Sequence, residues 1–144
     1  MAQTVQQALT QSDLISDGRE YVVVKLPAKA ITAAAGVLAQ ISEPFCTMIA
    51  DKDEVTLVIP AEAVTDFAAH LPDHTVAEKY YRLITFDIML EFSLVGFMAA
   101  VSRTLADAGV SILAYAAYSR DHLLVPADQF ATAMQALQQL KTSR

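Results

Sequence analysis

The sequence predicts an α+β protein of two small units in tandem, and three observations carry that prediction. The first is a repeat: TLVIPAE (56–62) returns as HLLVPAD (122–128), with Pro60 and Pro126 in matching places. The second is element order. Each half reads β-α-β-β-α, so one supersecondary unit follows another of the same kind. The third is composition: 54% of the 144 residues are hydrophobic and 18% charged, enough apolar surface to fill the cores of small sandwiches. A unit of this order buries its helices on one face of a mostly antiparallel sheet, the ferredoxin-like arrangement. The boundaries that follow are an N-terminal arm over residues 1–19, a first unit over 20–76 and a second over 77–144.

The elements follow in order. Residues 1–19 are polar and weakly patterned, an arm or a short helix. YVVVKLP (21–27) is a buried strand of β-branched residues stopped by Pro27. In AKAITAAAGVLAQI (28–41), Ile31, Ala34, Ala35, Leu38 and Ile41 recur at helical spacing. PFCTMIADKDEVTLVIP (44–60) reads as two strands joined by a polar turn at Asp51–Asp53. AEAVTDFAAHL (61–71) is a helix entered through Pro60, with Glu62 at the positive end of its dipole. LPDHTVAE (71–78) is a connector and KYYRLITFDIML (79–90) a strand. The next helix carries Leu94, Phe97, Met98, Val101, Leu105 and Ala108 as one apolar stripe, Arg103 and Asp107 as an outer ion pair, and Gly109 as its C-terminal cap. SILAYAAY (111–118) and HLLVP (122–126) are strands about a turn at Ser119–Asp121. ADQFATAMQALQQL (127–140) closes the chain as a helix with Phe130, Met134 and Leu137 on one side. Six strands are legible, while two β-α-β-β-α-β units need eight. Residues 1–19 and the 71–78 connector are the segments left to supply the others, unless the halves share strands.

Charge and motifs narrow the function classes. A net charge of −6 with scattered Lys and Arg opposes binding to nucleic acid and to anionic membranes. There is no apolar run of membrane-spanning length and no basic-then-apolar leader, and Cys46 is the sole cysteine, so a cytoplasmic protein is expected. The four glycines, Gly18, Gly36, Gly96 and Gly109, build neither a dinucleotide nor a phosphate loop. His70 and His74 have metal-ligand spacing, but Pro72 breaks the helix between them, so no metal site is expected. Cys46 has no recognisable base near it in sequence, and Tyr80, Tyr81, Tyr115 and Tyr118 read as strand aromatics of the core. The chain is therefore expected not to be an enzyme and to carry no cofactor.

Two stretches retain a binding reading. Glu91, Phe92, Ser93, Leu94, Val95 and Gly96 form a strand-to-helix loop whose helix start exposes N–H groups suited to a carboxylate. By themselves these residues are also accounted for by a Ser93 cap and close packing at Gly96. Ser119-Arg120-Asp121-His122 holds a carboxylate that can accept from an ammonium group, or is a solvated hairpin turn.

Three segments carry a resemblance to a known family: PFCTMIADKDEVTLVIPAEAV (44–64), EFSLVGFMAAVSRTLADAGVSI (91–112) and AYAAYSRDHLLVPADQF (114–130). From about Tyr21 onward the chain resembles the tandem ACT-domain proteins, specifically small bacterial relatives of the cellular arginine sensors. The resemblance implies β-α-β-β-α-β units that bind amino acids between them through the strand-to-helix loop and the neighbouring strand. Carried over, the loop is Glu91, Phe92, Ser93, Leu94, Val95 and Gly96, and the strand with its turn supplies Ala116, Tyr118 and Asp121. Backbone N–H groups near Ser93 to Gly96 would meet the α-carboxylate. Asp121, or carbonyls of strand 111–118, would meet the α-ammonium. Many relatives have a Ser-Thr-aromatic-Asp-Thr-Asp run where this chain has Ala116-Ala117-Tyr118-Ser119-Arg120-Asp121, which implies a more apolar ligand or a lost site. Another branch has a similar Ala-containing run.

The function so implied is a regulatory module that binds a small molecule, an amino acid in the first instance. Its output passes through a separate, unnamed protein partner or an oligomer contact, with a two-fold homodimer expected. The alternative is a ligand-free interaction protein that uses the same scaffold for assembly, which the loss of hydroxyls at Ala116 and Ala117 favours.

Overall fold

The computed structural model describes residues 2–41 and 45–143. In chain order its elements are α1 (Val5–Gln11), β1 (Asp13–Ile15), β2 (Glu20–Pro27), α2 (Ile31–Gln40), β3 (Thr47–Ala50), β4 (Glu54–Pro60), α3 (Ala61–Phe67), β5 (Thr75–Val76), β6 (Tyr81–Asp87), α4 (Phe97–Asp107), β7 (Leu113–Ala116), β8 (Asp121–Pro126) and α5 (Phe130–Thr142). Pro44, where sequence patterning starts the strand pair, lies outside the described residues. The protein is α+β with two ferredoxin-like units in tandem. One unit is residues 19–81; the other joins residues 2–18 to residues 82–143. The segment read from sequence as an arm over 1–19 thus lies with the C-terminal half.

In the first unit the strand order is β3-β4-β2-β5. β2 and β4 pair antiparallel from Tyr21–Pro60 to Pro27–Glu54, and β5 adds Val76 opposite Val24. Alternation along the two long strands sends Val22, Val24, Leu26, Val55, Leu57 and Ile59 to one face, where Ala34 and Val37 of α2 and Ala63 of α3 cover them. The β3–β4 turn is closed by Asp51, whose Oδ1 accepts from the N–H groups of Asp53 and Glu54 at 2.8 and 3.0 Å.

In the C-terminal unit the order is β1-β6-β8-β7. The fourth strand comes from the N-terminal segment: Leu14 lies opposite Phe86 and Ile15 opposite Thr85. The core joins Ile84 and Phe86 of β6 with Leu123 and Val125 of β8, under Phe97, Val101 and Leu105 of α4 and Ala133 and Leu137 of α5. α1 completes it with Ala8 and Leu9. Phe86 and Phe97 meet edge to face, ring centres 5.3 Å apart. Segments 1–19 and 71–78 thus each hold a short strand, β1 and β5. Neither is legible as a strand, because two or three residues are too few to show alternation.

The repeat has a structural cause. Pro60 and Pro126 end their strands with nearly the same backbone, φ −55° and ψ 142° against φ −53° and ψ 137°, and a helical turn starts at the next residue. The ring holds φ where the chain must leave the sheet and turn back over it.

Several boundaries differ from sequence patterning. The strand expected over 79–90 ends at Asp87, and α4 begins only at Phe97. Apolarity continues through Ile88, Met89 and Leu90, so pattern alone does not reveal the stop. Ala108 lies past the helix and is exposed. Gly109 does cap α4. With φ +75° its N–H bonds Ala106 O, and Val110 N–H bonds Leu105 O at 2.9 Å, a Schellman motif. Arg103 and Asp107 approach to 3.5 Å on the outer face.

Leu9 is 4% exposed, so Leu9→Ala should cost about 2–5 kcal/mol by lost burial and a cavity. Urea unfolding measures this directly, and a cost under about 1 kcal/mol would show that α1 is not part of the core.

Candidate functional site

Residues 88–96 leave β6 and reach α4 without regular structure, and residues 117–120 turn β7 into β8. The two segments face each other. Leu90 N–H donates to Ser119 O at 2.7 Å, and the Phe92 ring meets Tyr118 edge to face at 5.0 Å. Between them lies a cavity of about 600 Å³, within the usual range for small-ligand sites. Of the sequence candidates, Glu91, Phe92, Leu94, Gly96, Ala116, Tyr118 and Asp121 line it. Ser93 and Val95 do not line it and are exposed. Ser119, from the marked turn, lines it too, and so do Leu90, Phe97, Met98, Ala99 and Ala117, which were not named as ligand contacts. Their helix stripe and strand positions read as packing, and nothing local marks them otherwise.

The start of α4 borders this cavity. Its N-cap is Gly96, not Ser93, and no side chain caps it. Ala100 N–H is bonded to Gly96 O at 3.0 Å, so the N–H groups of Phe97, Met98 and Ala99 precede the intrahelical ladder. Gly96 has φ +97°, a left-handed conformation that side chains oppose. Space is not the constraint there, since a Cβ would stand 3.7 Å from Val5 Cγ2.

β8 supplies the acid. Alternation points Asp121 to the same face as Leu123 and Val125, the helix-covered face. Arg120 and His122 point to the opposite face. There Arg120 Nε donates to Asp87 Oδ1 at 2.7 Å, and His122 Nδ1 is 2.9 Å from Thr85 Oγ1. Asp121 therefore enters the cavity without a basic side chain among the lining residues. Burial holds its carboxyl above the ordinary value, with His122 opposing. Burial also holds the His122 imidazole below its ordinary value, Asp121 acting against this and Arg120 with it.

The aromatic rim departs from expectation. Tyr118 is 81% exposed and Phe92 78%, so Tyr118 belongs to the surface and not to a strand core. Cys46 is half-buried before β3, and burial pushes its thiol up, which disfavours the nucleophilic thiolate. Among the described residues no His, Cys, Asp and Glu are grouped to hold a metal ion, and no helix is long and apolar enough to cross a membrane.

The cavity thus sits at the first strand-to-helix loop of a β-α-β-β-α run, β6 to α5, whose fourth strand is β1. Residues 76–139 match the ACT domain family. A protein of unknown function from Vibrio cholerae, described as a possible transport protein, is similar at 26% identity over 96% of this chain and 97% of its own, with a TM-score of 0.74. The ligand-free regulatory subunit of aspartate kinase from Thermus thermophilus shares the fold at 13% identity, TM-score 0.62, over 89% of this chain and 97% of its own. So does an aspartate kinase from Clostridium acetobutylicum, at 11% identity and TM-score 0.67, over 90% of this chain and 34% of its own. No curated protein sequence matches this one.

Two outcomes test the geometry. Gly96→Ala should cost about 1–2 kcal/mol by forcing a side chain into left-handed backbone, measured by urea unfolding. For His122, the lowered folded value means that the unfolded chain takes up its proton first as pH falls below about 6.5. Stability should therefore drop from there down to the folded titration, and thermal midpoints of His122→Gln should fall less over that window. Equal slopes would mean that His122 titrates alike in both states.

Proposed function

We propose that this chain is a non-catalytic, cytoplasmic regulatory module that binds a small amino acid in the cavity of its C-terminal unit. The observation that carries the reading is the meeting, on one cavity, of an α4 start without a side-chain cap and an Asp121 carboxylate with no basic side chain among the lining residues. An α-carboxylate suits the N–H groups of Phe97, Met98 and Ala99, and an α-ammonium suits Asp121. Ser93 has no part in this version of the site. Leu90, Leu94, Met98, Ala116 and Ala117 offer apolar walls, which favours a ligand with an apolar side chain. The ACT domain class, whose members commonly bind amino acids, supports the same reading. Output is by population shift, requiring unequal affinity in two states, and passes to a protein partner or across a homodimer contact.

One observation favours a second reading, that of a ligand-free interaction protein. Met89, Phe92, Val95 and Tyr118 are each at least 66% exposed and all lie on the loops around the cavity. Exposed aromatic and Met side chains of this kind serve docking.

Thermal unfolding against each common amino acid separates the two. A ligand at about a hundred times its dissociation constant adds roughly 2.7 kcal/mol, several degrees for a chain of this size. Asp121→Asn should abolish that rise while leaving the ligand-free midpoint unchanged or higher, since the ionised carboxylate is desolvated in the fold. In the native chain, affinity should fall as pH drops through the raised Asp121 value, because only the carboxylate holds an ammonium. No rise with any amino acid leaves the interaction reading.

A further inference from the structure

We propose that Gln3 is a positioning residue of the cavity loop, clipping residues 89–91 in place so that Phe92 meets Tyr118 and the cavity keeps its ligand-binding shape. Gln3 makes three hydrogen bonds to this segment. Its backbone N–H donates to Glu91 Oε1 at 2.9 Å, its side-chain Oε1 accepts from Glu91 N–H at 3.0 Å, and its Nε2 donates to Met89 O at 3.0 Å. The first two are reciprocal, each residue's backbone N–H meeting the other's side-chain oxygen. Beside them the loop is held by Ile88 N–H to Phe86 O, Leu90 N–H to Ser119 O and Leu94 N–H to Glu91 O, and by Leu90 and Leu94 packed against the core, but none of these bonds fixes Met89 or the Glu91 N–H.

The clip is rigidly mounted. A capping box joins Thr4 and Gln7 and fixes where α1 begins, so Gln3 leaves the helix at a set angle. Ala8 and Leu9 then bury α1 in the core. Each solvent-exposed hydrogen bond is weak alone, but three from one residue on an anchored helix share one ordering cost. The loop beyond the clip needs such a hold. Phe92 and Tyr118 lie edge to face with the rings 78% and 81% exposed, so little besides the backbone beneath them and each other sets their positions. The consequence for binding rests on the amino-acid reading of the cavity. A loop that spends about a tenth of its time in the competent shape raises the apparent dissociation constant about tenfold.

The test uses the full chain. In ligand-free protein, NMR ring-current shifts at Phe92 and Tyr118 report the loop, and the methyls of Val101 and Leu105 report the core. Gln3→Ala should collapse the ring shifts toward unstructured values and leave the core methyls in place. Gln3→Glu should do the same by setting a second carboxylate against Glu91. Combining Gln3→Glu with Glu91→Gln should restore the shifts only in part, since the reciprocal backbone pair re-forms with a single charge while Met89 O still lacks the donor that Gln3 Nε2 supplies. For any amino acid that raises the native midpoint, Gln3→Ala should weaken binding about tenfold. Ring shifts unchanged in Gln3→Ala would overturn the proposal. So would core methyls moving as far as the rings, which would make Gln3 a general stabiliser. If the native chain binds no amino acid, the reading of the cavity falls, and the ring shifts still decide the role of Gln3.

Discussion

The C-terminal unit depends on a helix that comes from the other end of the sequence. Its sheet and the helices α4 and α5 leave a gap that Ala8 and Leu9 of α1 fill. The strand that follows α1 pairs β6 along Asp13 to Ile15. Burial of α1 is nonlocal, so its closure entropy is repaid only when the rest of the unit has formed. Once docked, it sets Val5 against Gly96 and Gln3 against Glu91, so the same packing that closes the core also reaches the cavity loop.

Strand alternation then sorts the charges. Along β8, Asp121, Leu123 and Val125 face the helices, while His122, and Arg120 just before the strand, face away toward Thr85 and Asp87. A slip of one residue would send Arg120 into the cavity and Asp121 out of it, leaving the Glu91 carboxylate facing a guanidinium in place of a second acid. Pairing of Leu113 with Leu124 through Ala116 with Asp121 holds that register. The core thus decides the electrostatics of the cavity without any polar residue being chosen for it locally.

Much of the fold was legible because its signals are local. The prolines at 60 and 126, the Gly109 cap, the Asp51 turn and the stripe of Phe97, Val101 and Leu105 each act over a few residues. The cavity was legible in part. The loop from Glu91 to Gly96 and the turn to Asp121 were marked by the family resemblance, and seven of those nine residues line one space. Ser93 misled because a serine three residues ahead of the true start looks like a cap, while the backbone puts Gly96 there. Tyr118 misled because it continues an apolar run past the end of β7, where the chain has already left the sheet.

By itself the sequence determined the α+β class, the duplicated unit and the helix and strand faces, since periodicity and turn chemistry are properties of neighbouring residues. The tertiary structure alone decided which edge β1 would join, that α1 would finish the C-terminal core, and that Gln3 would hold Glu91. Those choices are made between residues far apart in the chain, by burial and pairing that no local pattern encodes.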